Sequence, residues 1–421
     1  MMTQAFYTGI AGLRSSSSGI DIMSDNIANV STTGFKGQSY EFSSLFDSAL
    51  ATNNSGKSSV NSSIGQGAKL TATNIDLKSG TMVLSDRSTD LALQGEGWFG
   101  IIGNNQDVYY TRDGSFNFDV DNNLVANDGS YILGTLGNNI SENTLTTPLA
   151  EVPLGGLNTQ EKLRFPKTLA YPPEPTTTAK FLGNIGTTAD VRTMSAAVVD
   201  PAGVKNDLRL EFTKSAVQTP PGTQWDVVAQ TKSIDGSTVY DTQSGTISFG
   251  SAGELLSTTL STIDNNGASV AIDLGSDFSG VVSLDNTEIT ASSLANGTIG
   301  GDLRGYDINK NGEVVATFTN GKQSSVGRIA VYHFRNDEGL GRVTGTRFAE
   351  TTNSGKPLFY QDSSGQNIIG TDITNFKLEG SNISLTTGLT ELIILQRAYD
   401  ANSKSITTAD QMIQKALTMH K

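Results

Sequence analysis

Apolar residues recur at every seventh position near both ends of this chain. Phe6, Leu13, Ile20 and Ile27 form one row, and Met2, Gly9, Met23 and Val30 form a second, with Ser16 its polar exception. Toward the other end Leu385, Leu392, Tyr399, Ile406 and Ile413 keep the same spacing. Leu395, Ala409 and Ala416 supply most of a companion row there, interrupted by Asn402. Seven residues are two turns of a slightly underwound helix, so each row becomes a stripe and two rows make a seam. The spacing predicts a coiled-coil-like helix at each end, and the natural partner of the first is the last.

Neither helix reads as self-sufficient. "SSSSG" at Ser15–Gly19 sits in the middle of the first run, and residues of that kind are weak helix formers. Isolated helices are marginal in water and draw most of their stability from packing. The ends are therefore expected to be mobile in the isolated chain and to order on assembly, with other copies completing their surfaces. The competing reading has each helix cover a local globular core. In "NIANVSTTGFK", Asn26 to Lys36, the run stops abruptly: threonines disfavour the helix, and Gly34 suits the left-handed conformation that terminates one.

Between the ends the pattern changes to short apolar runs and turns. "LALQGEGWFGII", "VYYTRDGSFNF" and "NLVANDGSYILG" alternate with Asp-Gly signals, which mark hairpins. A similar region returns over 303–348. The intervening 146–300 is richer in Thr, Ser and Gly, with "YPPEP" at Tyr171–Pro175 as a stiff boundary. The expected class is α+β, mainly β: paired terminal helices around nested β domains, the outer one inserted into the inner. The expected boundaries are 1–30 and 385–421 for the helical domain, 31–74 for an extended linker, 75–145 and 301–384 for the inner domain, and 146–300 for the outer domain.

Charge follows the same division. The chain carries net charge −13 over 421 residues. Arg14 against Asp21 and Asp25 leaves 1–30 at −1. Arg397, Lys404, Lys415 and Lys421 against Glu391, Asp400 and Asp410 leave 385–421 at +1. The ends cancel, and the acidity sits on the middle. Neutral ends can pack densely, while an acidic middle without a Lys/Arg cluster argues against a nucleic-acid partner. The absence of cysteine excludes disulfides and thiolate chemistry. "MMTQAFYTGIAGL" has no basic segment before an apolar one, so no secretory signal is expected. No stretch approaches the ~20 apolar residues of a membrane-spanning helix, so no membrane insertion is expected.

Several motifs imitate functional sites. "GEGWFG" has dinucleotide-loop spacing at Gly95, Gly97 and Gly100, but strand and turn follow it where a helix is required. "DINKNGEVVATF" resembles the start of a calcium loop through Asp307, Asn309, Asn311 and Gly312, yet its twelfth position is Phe318 and no helices flank it. "DVDNN" at Asp119–Asn123 meets the same objection. The two histidines, His333 and His420, are isolated. No catalytic, metal-binding or cofactor-binding residue is expected, although carboxylates are numerous enough that counting alone leaves a glycosidase-like pair open.

Four stretches carry a resemblance to a known family. "NIANVSTTGFK" resembles the N-terminal signature of bacterial flagellar rod and hook proteins. "YTRDGSFNFDVDNNLVANDGSYILG" and the stretch from "RGYDINKNGEVVATF" to Gly355 resemble the two halves of that family's inner domain. "LQRAYDANSKSITTADQMIQKAL" resembles its C-terminal helix. Within the family, "YEFSSLFDSAL", "IGQGAKL" and the presence of a large outer segment are nearer to the hook branch than to the distal rod. The resemblance implies an axial structural protein and no enzyme: a homopolymer forming a short curved tube that joins rod to filament and passes torque across a bend. It implies that Phe6, Leu13, Ile20, Ile27, Leu385, Leu392, Tyr399, Ile406 and Ile413 serve self-assembly. It further implies export without a cleaved signal through the flagellar type III gate, with Phe42 and Phe46 as candidate recognition residues. The implied partners are the distal rod protein, the hook cap and the hook–filament junction protein. A reading from a different class is a secreted carbohydrate-binding or adhesin-like β protein.

Overall fold

The computed structural model describes the chain except residues 1, 46–47, 50–62, 65–66, 104, 189, 219, 286 and 420–421. Two long helices, α1 (Met2–Ala28) and α2 (Leu385–Thr418), bracket a series of short strands. Both heptad runs are thus helical, and the helices lie antiparallel along each other. Gly9 faces Ile406, Gly12 faces Asn402, Gly19 faces Leu395, and Gly388 faces Ile27. The weak "SSSSG" run has a structural use. Small residues let elements approach closely, and Ser15 Oγ donates to the Ala68 carbonyl at 2.8 Å. That carbonyl belongs to a two-stranded antiparallel ribbon, Gln38–Ser44 with Ala68–Ile75, which packs along α1.

Residues from both halves of the chain build one large sheet. Its strands Trp98–Ile102 and Tyr131–Leu136 come from the first half. Gly301–Ile308, Glu313–Phe318 and Gln323–Ile329 come from the second. The halves are joined by the pairing of Gly134 with Ile329 through Leu136 with Gly327, and also by Val331 and Tyr332 against Phe99 and Trp98. Trp98, Phe99, Phe116, Val326, Ile329 and Phe348 lie in its core. "GEGWFG" is a turn into this sheet: Gly95 and Gly97 have φ of +133° and +128°, and Trp98 and Phe99 are buried strand residues. The calcium-loop imitators are hairpin turns. Asn309 Oδ1 accepts from the Asn311 and Glu313 amides at 2.9 and 3.1 Å, and Asp119 Oδ1 accepts from Asp121 and Asn123, both at 2.8 Å. A side-chain oxygen that gathers amides of its own turn is a local substitute for backbone hydrogen bonding.

A second core belongs to two five-stranded sheets formed entirely within 178–295. One is an antiparallel meander from Arg192–Val199 to Leu255–Thr258. Alternate residues of its strands, Leu208, Leu210 and Phe212, then Trp225, Val227 and Ala229, face that core, as the period of two requires. The structure differs from the expected 146–300 boundary. Leu154, Leu163, Phe165, Leu169 and Tyr171 pack into the first core, and Ala170–Tyr171 pairs with Gly301 and Asp302. The crossover falls at "YPPEP" itself, where Glu174 bridges Thr298. The stretch 154–171 holds only two Thr, two Gly and no Ser, and its apolar residues reach the first core through long-range packing that local sequence does not show.

The helix–β junction and its candidate assembly surface

The residues that end α1 do more than stop a helix. Asn26, in the last turns of α1, holds the strand beyond: its Oδ1 accepts from Gln38 N at 3.0 Å and its Nδ2 donates to Gln38 O at 2.8 Å. A tight reversal through Asn29–Phe35 lies between them. Gly34 has φ +67°, and a Cβ there would sit 2.3 Å from the Asp113 backbone nitrogen. Only glycine meets both demands. Phe35 and Lys36 then plunge into the protein, 2% and 1% exposed.

Lys36 meets the far end of the sequence. Its Nζ lies 2.8 Å from Glu379 Oε1 and donates to the Lys78 carbonyl at 2.7 Å. Arg112 approaches the other oxygen of Glu379 at 3.4 Å, and its guanidinium lies 5.3 Å from the Trp98 ring centroid. All three charged side chains are nearly sealed from solvent. Burial pushes the Lys36 ammonium below its ordinary pKa; Glu379 opposes this fall and Arg112 adds to it. Burial likewise lowers Arg112, with Glu379 opposing. Backbone amides of neighbouring turns complete the clasp. Gly34 N donates to Glu379 O at 2.7 Å, Gly80 N to Glu379 Oε1 at 3.0 Å, and Gly37 N to Asn382 Oδ1 at 2.8 Å. Two residues past Asn382, Ser384 caps α2 by accepting from Thr387 N. Arg342 closes the outside, stacking 4.4 Å from the Phe35 ring and pairing with Asp25 at 3.5 Å.

The helices rising from this junction bury one row and leave another partly open. Gly9, Ser16, Met23, Gly388, Leu395 and Ala409 are buried at the contact. Of the residues singled out for self-assembly, Phe6, Leu13, Ile20, Ile27, Leu392, Ile406 and Ile413 are half-buried, while Leu385 and Tyr399 are exposed. The row of small residues forms the intimate contact because it allows the helix backbones to come close. From the bulkier row Ile406 and Ile27 enter that contact against Gly9 and Gly388, while Leu385 and Tyr399 stay exposed. Beyond the contact α2 exposes Leu389, Ile393, Ile394, Met412 and Leu417, with Ile393 and Ile394 at 56% and 61%. Phe42 is 39% exposed on the ribbon, its ring 5.0 Å from Tyr40 and facing Gly19. Phe46 and His420 lie outside the described residues. His333 is buried, its Nε2 donating to the Ile369 carbonyl at 2.6 Å and its ring 4.2 Å from that of Tyr360. Among the described residues no three His, Asp or Glu side chains form a potential metal site, and no helix is long and apolar enough to cross a membrane.

Sequence reasoning did not single out Lys36, Arg112, Glu379, Asn26 or Asn382 as parts of one site. The available signal was a lysine directly after a helix stop, too common to interpret without its distant partners.

Comparisons with known proteins match these same segments. Residues 6–36 match the family described as flagella basal body rod protein, 92–152 the flagellar hook protein FlgE/F/G D1 domain, and 376–419 the flagellar basal body rod FlgEFG protein C-terminal family. The flagellar hook protein FlgE of Salmonella typhimurium is 28% identical, over 99% of this chain and 100% of that one. FlgE of Escherichia coli is 27% identical with the same coverage, and FlgE of Borreliella burgdorferi is 25% identical, again over 99% and 100%. The crystal structure of Helicobacter pylori flagellar hook protein FlgE2 shares the fold, with TM-score 0.50 and 17% identity over 70% of this chain and 100% of that chain. With helical ends, a mainly β middle and full-length relatives of one kind, the chain is similar along its whole length to flagellar hook proteins.

Proposed function

We propose that this chain is a structural subunit of the bacterial flagellar hook, assembling with copies of itself into a short curved tube that joins rod to filament and transmits torque. The observation that carries this reading is the apolar surface left on α2 after it pairs with α1, including Leu389, Ile393 and Ile394. A helix pair that still exposes large apolar residues on a contiguous element is an interface waiting for a partner. A head-to-tail contact that does not close on itself yields a helical polymer. Those parts of the nine seam residues, Phe6 through Ile413, that the α1–α2 contact leaves uncovered supply the rest of this assembly surface. The β units form the outer layers of the tube.

The distal rod protein, hook cap, hook–filament junction protein and type III export gate are the proposed flagellar partners. Phe42 is the proposed export contact, read by the gate while the chain is unfolded. Its packing role begins after folding. The role is mechanical, and no reaction is assigned to any residue. Concentrated protein imaged by electron microscopy tests the reading. Full-length chain should form tubes, and chains lacking either terminal helix should stay monomeric with the β units folded. Glycan binding by 178–295 without polymerisation would favour the adhesin-like alternative.

A further inference from the structure

Glu379 occupies a position that assembly alone does not require. Lys36 and Arg112 bring two cations into a nearly sealed space, and Glu379 is the one carboxylate within ion-pair distance of either among the described residues. Asp76 on the Lys36 side and Asp337 and Glu96 on the Arg112 side contribute only at longer range, and Asp337 is already engaged by the Trp98 indole N–H at 3.1 Å. Removing the carboxylate leaves two buried charges without a direct counter-ion, an arrangement far costlier than never burying them.

These three residues are separated by most of the chain, 343 positions between Lys36 and Glu379 and 267 between Arg112 and Glu379. Both helix roots hang on this point. The root of α1 is tied through Asn26 to Gln38, two residues from Lys36. The root of α2 follows Glu379 through Asn382, which grips Gly37 N and the carbonyls of Asp76 and Lys78. The segment 34–38 is held by Asn26 and by the strand at Ile75 on one side, and its seat is complete only when 377–383 arrives.

We propose that Glu379 is the closing residue of an assembly latch. Its carboxylate, the last of the three groups in chain order, neutralises Lys36 and Arg112 and so fixes both helices to the inner β unit in one step. A chain whose C-terminal segment has not yet docked keeps α1 unlocked and cannot take a place in a polymer. The idea rests on the self-assembling function proposed above, and its readouts are separable from it.

The test uses full-length chain carrying Glu379→Gln, which keeps the side chain's shape and removes its charge. Hydrogen exchange at the Gly34 and Gly80 amides reports the latch, and exchange in Gln323–Ile329 reports the inner sheet. The expected result is about a hundredfold faster exchange at Gly34 and Gly80 with the inner sheet still protected, as an uncompensated buried charge requires. Polymerisation should be lost at concentrations where the unaltered chain polymerises. A second variant, Lys36→Met with Glu379→Gln, removes one of the stranded cations and should recover about tenfold of the lost protection. Unchanged junction exchange and normal polymerisation in Glu379→Gln would overturn the latch. So would exchange rising equally throughout the inner sheet, because Glu379 would then be an ordinary core residue. If the unaltered chain itself does not polymerise, the self-assembly reading fails, while the exchange at Gly34 and Gly80 still decides whether the latch exists.

Discussion

Gly12 of α1 stands directly against the Asn402 carboxamide of α2; a Cβ on Gly12 would lie 2.6 Å from Asn402 Nδ2. The same closeness recurs at Gly9 and Gly19, so the helix pair is set by a row of small residues. Gly12→Leu forces overpacking of about 1–3 kcal/mol, partly offset by a gain of about 1 kcal/mol in helix propensity. The variant should lose far-UV helical signal at lower temperature than the parent. The near-UV signal of the buried Trp98 and Trp225 should stay unchanged.

Gly34→Ala tests the junction backbone. Its φ of +67° disfavours any side chain, and the added carbon would meet the Asp113 backbone, which cannot rotate away. Strain and overpacking together amount to about 2–4 kcal/mol. Limited proteolysis should then cut within 28–45 at protease levels that leave the parent intact.

These two sites mark how far the sequence could be read. The heptad spacing of Phe6–Ile27 and Leu385–Ile413 was enough to expect two helices that find each other. It did not reveal which row meets the partner, because apolar periodicity weights Phe6 and Leu13 over Gly9 and Ser16, whereas close approach rewards the small residues. The turn glycines and Asx residues gave the hairpins of the middle because that chemistry is local. Lys36, Arg112 and Glu379 were invisible as a set: their relation depends on a topology that no window of sequence contains. The shift of the outer boundary from 146 to "YPPEP" has the same origin, since Leu154–Tyr171 carry no motif of their own and join the inner core only through long-range packing.

The crossover between the β units carries its own clasp. Glu174 accepts from Tyr171 Oη at 2.6 Å and from Lys322 Nζ at 3.2 Å. The Tyr171 hydrogen bond, opposed by partial burial and aided by Lys322, holds the Glu174 carboxyl below its usual range. A depressed carboxyl contributes stability that is present above its unfolded value, near 4.5, and fades as the pH falls through the folded value. Because the pair is well exposed, the effect is at most about 1 kcal/mol. Glu174→Gln should lower the thermal midpoint slightly at pH 7, and the gap to the parent should close in the acid range. A gap that widens on acidification would contradict this assignment.

Phe42 separates export from packing. Phe42→Ala should reduce the amount of chain appearing outside the cell, measured against its level within. Normal secretion of a chain that then fails to polymerise would assign Phe42 to packing beside Tyr40 and Gly19 alone.

The most direct measurement is the polymerisation threshold of Leu389→Ser with Ile393→Ser, determined by sedimentation. Both side chains are exposed in the single chain, so the fold and the α1–α2 pairing should be untouched. Leu389 and Ile393 are 44% and 56% exposed, so covering them against a neighbour contributes about 0.7–1.5 kcal/mol each, which predicts a threshold raised by about tenfold to a hundredfold. Polymers forming at the parental concentration would contradict the claim that this face of α2 joins one subunit to the next.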